Sequence, residues 1–104
     1  MTPLYTPVAN TGGYQPIGSD RYPITITWVS SDLKKIKFRR AKYERTDKNG
    51  FGGDQEYMFW DDTTAPEVEA KLCKNNHYYT KGGITSGQRI VPTGIYSAYQ
   101  DPSF

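Results

Sequence analysis

Apolar and polar residues alternate along much of the chain, and few windows carry a helical period. Ile24, Ile26 and Trp28 alternate with Thr25, Thr27 and Val29, which predicts a strand with the first three on its buried face. Ser30-Ser31-Asp32 supplies turn residues. A second strand is expected over Lys35 to Thr46, where Ile36 and Phe38 share one face and Ala41 and Tyr43 the other. That change of parity calls for a bulge near Arg39-Arg40, or for apolar patches on both sides. Asp47-Lys48-Asn49-Gly50 has the chemistry of a hairpin turn. Tyr57, Met58, Phe59 and Trp60 then read as a strand packed on both faces.

One segment reads as helix. Thr64-Ala65-Pro66-Glu67 has the capping-box spacing with proline in the first turn, Ala65, Val68 and Leu72 fall on one helical face, and Asn75-Asn76 ends it. At about ten residues such a helix holds only by packing on a sheet. Further strands are expected at His77–Thr80, Gln88–Val91 and Ile95–Tyr99, broken by Gly82-Gly83 and Pro92-Thr93-Gly94. Residues 1–23 carry four prolines and three glycines, so they predict an extended arm that covers a sheet edge, followed by one β-rich domain over 24–104.

The fold class that follows is α+β and mainly β: a small antiparallel sheet of about five or six strands, curled or barrel-like, with one short helix and the N-terminal arm. Composition fits it. The chain has 104 residues, enough for one domain, and its 14% aromatic content lets a chain poor in aliphatics build a core. No apolar run approaches the roughly 20 residues of a membrane helix. The opening Met-Thr-Pro-Leu-Tyr has no signal-peptide pattern and Cys73 is the sole cysteine, so the expected setting is cytoplasmic.

Charge changes the picture more. Residues 32–48 hold eight basic and three acidic residues, a net +5, while 54–69 hold six acids and no base. The formal total of +2 conceals both blocks. With Asn49-Gly50 as a two-residue loop, Arg45 would face Asp54, Lys37 would face Asp62 and Arg39 would face Trp60, so the blocks would fix the register by cross-strand attraction. Alternatively, basic residues interleaved with rings suit a nucleic acid, with cations on phosphates and rings on bases. The candidate contacts for nucleic acid or another partner are Lys35, Lys37, Arg39, Arg40, Lys42, Tyr43, Phe51 and Trp60.

Catalytic and metal chemistry find little support. Cys73 and His77 are four apart but lack the third and fourth ligands of a zinc site, and no residue orients them as a catalytic pair. Asp61 and Asp62 would diverge on a strand, and acids here suit the first turn of the expected helix. Glu69-Ala70-Lys71 matches the end of a metal-dependent nuclease motif, but the helix reading removes it from the core strand that motif needs. Gly50-Phe51-Gly52-Gly53 leads into a strand, unlike a phosphate loop, and leaves Phe51 either at a loop tip or folded onto the sheet. None of these motifs is specific enough to name a family.

The expectation is therefore a non-catalytic interaction or assembly protein without cofactor, taking a protein partner or a second copy of itself and no membrane. A nucleic-acid-binding β-domain is the alternative, and an acidic nucleic-acid mimic a further one.

Overall fold

The computed structural model describes residues 2–47 and 55–100. Six antiparallel strands close into a barrel: β1 (Thr11–Ile17), β2 (Asp20–Val29), β3 (Lys35–Arg40), β6 (Val68–Leu72), β7 (Tyr78–Tyr79) and β8 (Arg89–Gly94), which returns to β1. Between β3 and β6 the chain makes a two-stranded ribbon of β4 (Lys42–Arg45) and β5 (Tyr57–Trp60). A single turn of helix, α1 (Gly83–Ser86), joins β7 to β8. The class expected from sequence, mainly β with a barrel-like antiparallel sheet and one short helix, is the class observed.

The helix is not where the pattern put it. Residues 68–72 form β6, which pairs Ala70 with Ile36 of β3 and Leu72 with Tyr78 of β7. Val68, Ala70 and Leu72 also fit period 2, and Ala70 and Leu72 are buried while Glu69 and Lys71 are exposed. A ten-residue helix has little stability of its own, whereas the strand satisfies two ladders and closes the barrel. The capping-box residues instead make a turn, in which Asp62 Oδ1 accepts from the Thr64 amide at 3.0 Å and from its hydroxyl at 2.6 Å.

The arm is more than an edge cover. From Thr11 it is β1, paired with β2 on one side and β8 on the other. Gly18-Ser19 makes the two-residue turn between β1 and β2, with Gly18 at φ +58°, a position glycine takes without strain. Gly12 is required for space: a Cβ there would lie 2.5 Å from the Tyr96 nitrogen. Before β1, the Leu4 amide donates to the Asn76 carbonyl at 3.2 Å.

Other boundaries moved for local reasons. The expected strand over Lys35 to Thr46 breaks at buried Ala41, one residue past Arg40, where its amide donates to the Pro23 carbonyl. β8 runs through Pro92 to Gly94, because its register with β1 slips there and the missing N–H costs no ladder bond. The strand expected at Ile95–Tyr99 reduces to one bridge between Tyr99 and Arg21.

The core joins Ile24 and Ile26 of β2, Ile36 and Phe38 of β3, Ala70 and Leu72 of β6, Tyr78 of β7 and Ile90 of β8, with Val29 packed against them. Trp28 is absent from it. A bulge between Ile26 and Trp28 turns Trp28 outward, 42% exposed, and brings Val29 in. At the bulge the Thr27 hydroxyl is buried with no hydrogen-bond partner among the described residues.

Candidate functional site

Of the candidate contacts, β3 carries Lys35, Lys37, Arg39 and Arg40, and the ribbon carries three, Lys42, Tyr43 and Trp60. Its strands pair Lys42 with Trp60, Tyr43 with Phe59, Glu44 with Met58 and Arg45 with Tyr57. This differs by three residues from the register that a two-residue loop at Asn49-Gly50 would impose, so Arg45 faces Tyr57 and not Asp54. That loop, Phe51 and Asp54 lie outside the described residues. An odd shift exchanges the faces of a strand relative to its partner. Here it sets rings against rings.

One face of the ribbon lies toward the barrel. Tyr43 and Tyr57 approach with ring centroids 5.7 Å apart, Tyr57 and Phe59 at 6.0 Å, and Phe59 stacks on Tyr96 at 5.6 Å. Tyr96 and Thr25 of β2 share a hydroxyl hydrogen bond of 2.9 Å. Arg39 of β3 adds a fork: its Nε donates to Asp61 Oδ1 at 2.9 Å and its Nη2 to Asp61 Oδ2 at 2.5 Å. Hydrogen bonds from Arg39 and Thr25 hold the Asp61 carboxyl below the ordinary aspartate range. At the ribbon's far end Arg45 Nε donates to Asp47 at 2.7 Å, and Asp47 also accepts the Glu56 amide.

The other face looks outward. Expected to pack on both sides, β5 packs on one: Met58 is 52% exposed and Trp60 41%, because the barrel lies on a single side of the ribbon. Lys42 and Glu44 flank them across the pair.

The basic block is dispersed accordingly. Arg39 is tied to Asp61. Lys37 faces Glu69 of β6, not Asp62, and its ammonium sits 5.5 Å from the Trp28 ring centre. Lys35 is exposed opposite Lys71 of β6. Arg40 belongs to the inward-facing side of β3, opposite Ile24, and donates to Gln15 Oε1 at 3.1 Å. Lys42 and Trp60 share the outer ribbon, whereas Tyr43 is on its inner face. Sequence thus grouped residues that the fold distributes over four surfaces, the two sides of β3 and the two faces of the ribbon.

The acid pair also separates: Asp61 goes to Arg39 and Asp62 to the Thr64 turn, so neither serves a helix dipole. Cys73 and His77 flank the turn between β6 and β7, where the Cys73 amide donates to the His77 carbonyl at 2.9 Å. Their side chains line different hollows, Cys73 one with Lys71 and Tyr79, His77 one with Pro3 and Leu4. Burial, helped by Arg89, holds the His77 imidazole below its ordinary pKa. Glu69-Ala70-Lys71 does lie on a strand, contrary to the helix reading, but the residues opposite Glu69 and Lys71 on β3 are Lys37 and Lys35. Among the described residues no three His, Cys, Asp or Glu side chains cluster as metal ligands.

Sequence reasoning missed Gln15, a polar side chain that is buried, with only 8% exposure. It also missed the outward turn of Trp28. The Gly18-Ser19 dipeptide could have exposed the first, since a two-residue turn there makes residues 11–17 a strand and puts Gln15 in register with Tyr22.

Fold and surface together define a closed six-stranded antiparallel β-barrel with an appended aromatic ribbon. Compared with known proteins, the chain matches no family model, no curated protein and no solved structure. No helix among the described residues is long and apolar enough to cross a membrane.

Proposed function

We propose that the protein is a non-catalytic interaction module that engages a protein partner through the outer face of the ribbon. The observation that carries this reading is the pair Met58 and Trp60, adjacent on one face of β5 and about half exposed while the opposite face is spent on the barrel. Aromatic residues and methionine are enriched at the centre of protein interfaces, with charges at the rim, and Lys42 and Glu44 stand in that relation to them. A cytoplasmic setting belongs to the same reading, supported by a chain with a single cysteine.

A second reading has its own observation. Trp28, Lys37 and Lys35 form an exposed ring-and-cation group on β2 and β3 that would suit a single-stranded nucleic acid. Against it, the Arg39–Asp61 fork takes one cation from the stripe, and the acidic Glu69 stands opposite Lys37 in the ladder.

The test compares wild type with a Met58→Ser/Trp60→Ser variant of unchanged melting temperature. Each is assayed by light scattering alone, by quantitative cross-linking in host extract, and against a short oligonucleotide at rising salt. A complex, homomeric or heteromeric, that is lost in the variant supports the proposal. A complex indifferent to both substitutions overturns it, as does oligonucleotide binding with steep salt dependence and no protein complex.

A further inference from the structure

At one end of the barrel the core-facing positions carry polar groups, Gln15 buried and Arg40 exposed at the rim. Gln15 pairs in register with Tyr22, and Arg40 with Ile24, so these side chains point to the same side of the sheet as the core. The guanidinium of Arg40 lies 4.7 Å from the Tyr22 ring centre, and its Nη2 donates to Gln15 Oε1. Two contacts thus orient it. Neither neutralises it, and no carboxylate of the described residues lies within ion-pair distance. Gln15 spends its oxygen on Arg40, while its Nε2 donates to nothing among the described residues. Beside them is a depression of about 220 Å³ whose remaining wall is Phe38, Val68, Pro66 and Thr80. Thr80 Oγ1 is already an acceptor for the Gln88 amide.

A cation held in place, an unused amide donor and an apolar wall make an arrangement with two distinct ends. Small-molecule sites have this form, largely apolar with a few convergent polar groups. The unused groups at the polar end are donors, so the ligand's end must accept, and a planar guanidinium is matched best by a planar carboxylate. Drug-sized sites usually exceed about 300 Å³, so the occupant is smaller than that class.

We propose that the open end of the barrel binds a small monocarboxylate with an apolar body, its carboxylate on Arg40 and the Gln15 amide and its body against Phe38 and Val68. This site is separate from the outer face of the ribbon, and neither reading depends on the other.

Benzoate serves as the probe, titrated to about 20 mM into isotopically labelled protein, a range suited to the weak binding of fragments of this size. Benzyl alcohol and inorganic phosphate are the controls. Saturable shifts of the Gln15 side-chain amide and the Val68 methyls with benzoate are expected, with at least about tenfold weaker binding of either control. Arg40→Met should weaken benzoate by about tenfold or more. Gln15→Glu, nearly isosteric, should abolish binding by placing a carboxylate on Arg40 within the protein. It serves as the second variant should Arg40→Met fold poorly. No saturable shift at these residues, equal binding of phosphate, or full binding by Gln15→Glu would overturn the proposal.

Discussion

Arg39 and Asp61 meet in a two-pronged ion pair, Nε to Oδ1 at 2.9 Å and Nη2 to Oδ2 at 2.5 Å, across the point where the ribbon returns to the barrel. Each is only partly covered, with side-chain exposures of 21% and 31%, so the pair has the geometry of a strong interaction in a solvent-screened place. Its position matters more than its strength. Asp61 directly follows β5, and holding it on β3 keeps the rings of Tyr57 and Phe59 toward the barrel.

Replacing Asp61 with Asn should therefore cost no more than about 1 kcal/mol of stability, the upper end for solvent-screened ion pairs. It should also change the acid limb. The folded pKa of Asp61 is depressed by its hydrogen bonds to Arg39 and Thr25, so the stability it contributes is present above the unfolded aspartate value and is lost as pH falls through the lower folded one. Urea melts between pH 6 and pH 2 should show a shallower acid loss in the variant than in wild type. Parallel curves would remove Asp61 from that role.

At the core, the Tyr78 hydroxyl donates to the Leu33 carbonyl, and burial pushes its pKa up to about 12. A phenol with a raised folded pKa stabilises the fold fully below the unfolded value near 10, and that contribution disappears as pH rises toward 12. Stability measured across that window should fall, and Tyr78→Phe should flatten the fall while costing about 1–2 kcal/mol at neutral pH for the lost bond.

Gly12 faces the Tyr96 backbone, where a Cβ would approach to 2.5 Å. Gly12→Ala should destabilise by about 1–3 kcal/mol through forced displacement. Phe59 stacks on Tyr96, so the change should also raise hydrogen exchange in the ribbon. Exchange confined to β1 would show that the ribbon does not depend on that contact.

Truncation separates the two parts of the N-terminal segment. Removing residues 2–8 takes away the Leu4–Asn76 hydrogen bond and should leave a folded barrel, whereas removing 1–20 takes away β1 and should abolish cooperative melting. Deletion to residue 20 would therefore report on folding and not on association.

Both tryptophans are about two-fifths exposed, so wild-type fluorescence should be red-shifted and readily quenched by acrylamide. A blue-shifted, protected spectrum in dilute solution would mean that Trp28 or Trp60 is already covered by a second molecule, and Trp60→Ser would distinguish them.

Local pattern determined a good deal by itself. The alternation of Ile24 with Ile26 and of Ile36 with Phe38 put four core residues on their faces. The rings, expected to build the core, supply only Phe38 and Tyr78 to it, and four isoleucines with Leu72 and Ala70 make up the rest, while Tyr43, Tyr57, Phe59 and Tyr96 pack the ribbon. Residues 68–72 were legible in two ways, since Val68 and Leu72 satisfy both a helical and an alternating spacing. Only the need of β3 and β7 for a partner between them selects the strand. The outward turn of Trp28 came from a bulge, a one-residue slip that leaves no mark in the pattern of Ile24, Ile26 and Trp28. For the candidate surfaces the limit is similar. Sequence listed the basic residues and rings, but closure of the barrel sent Arg39 to an acid, Arg40 to the inner rim and Trp60 to solvent. Residue type is written along the chain; the neighbour that makes it a contact comes from pairings between distant strands, whose hydrogen bonds and packing exist only once the sheet has closed.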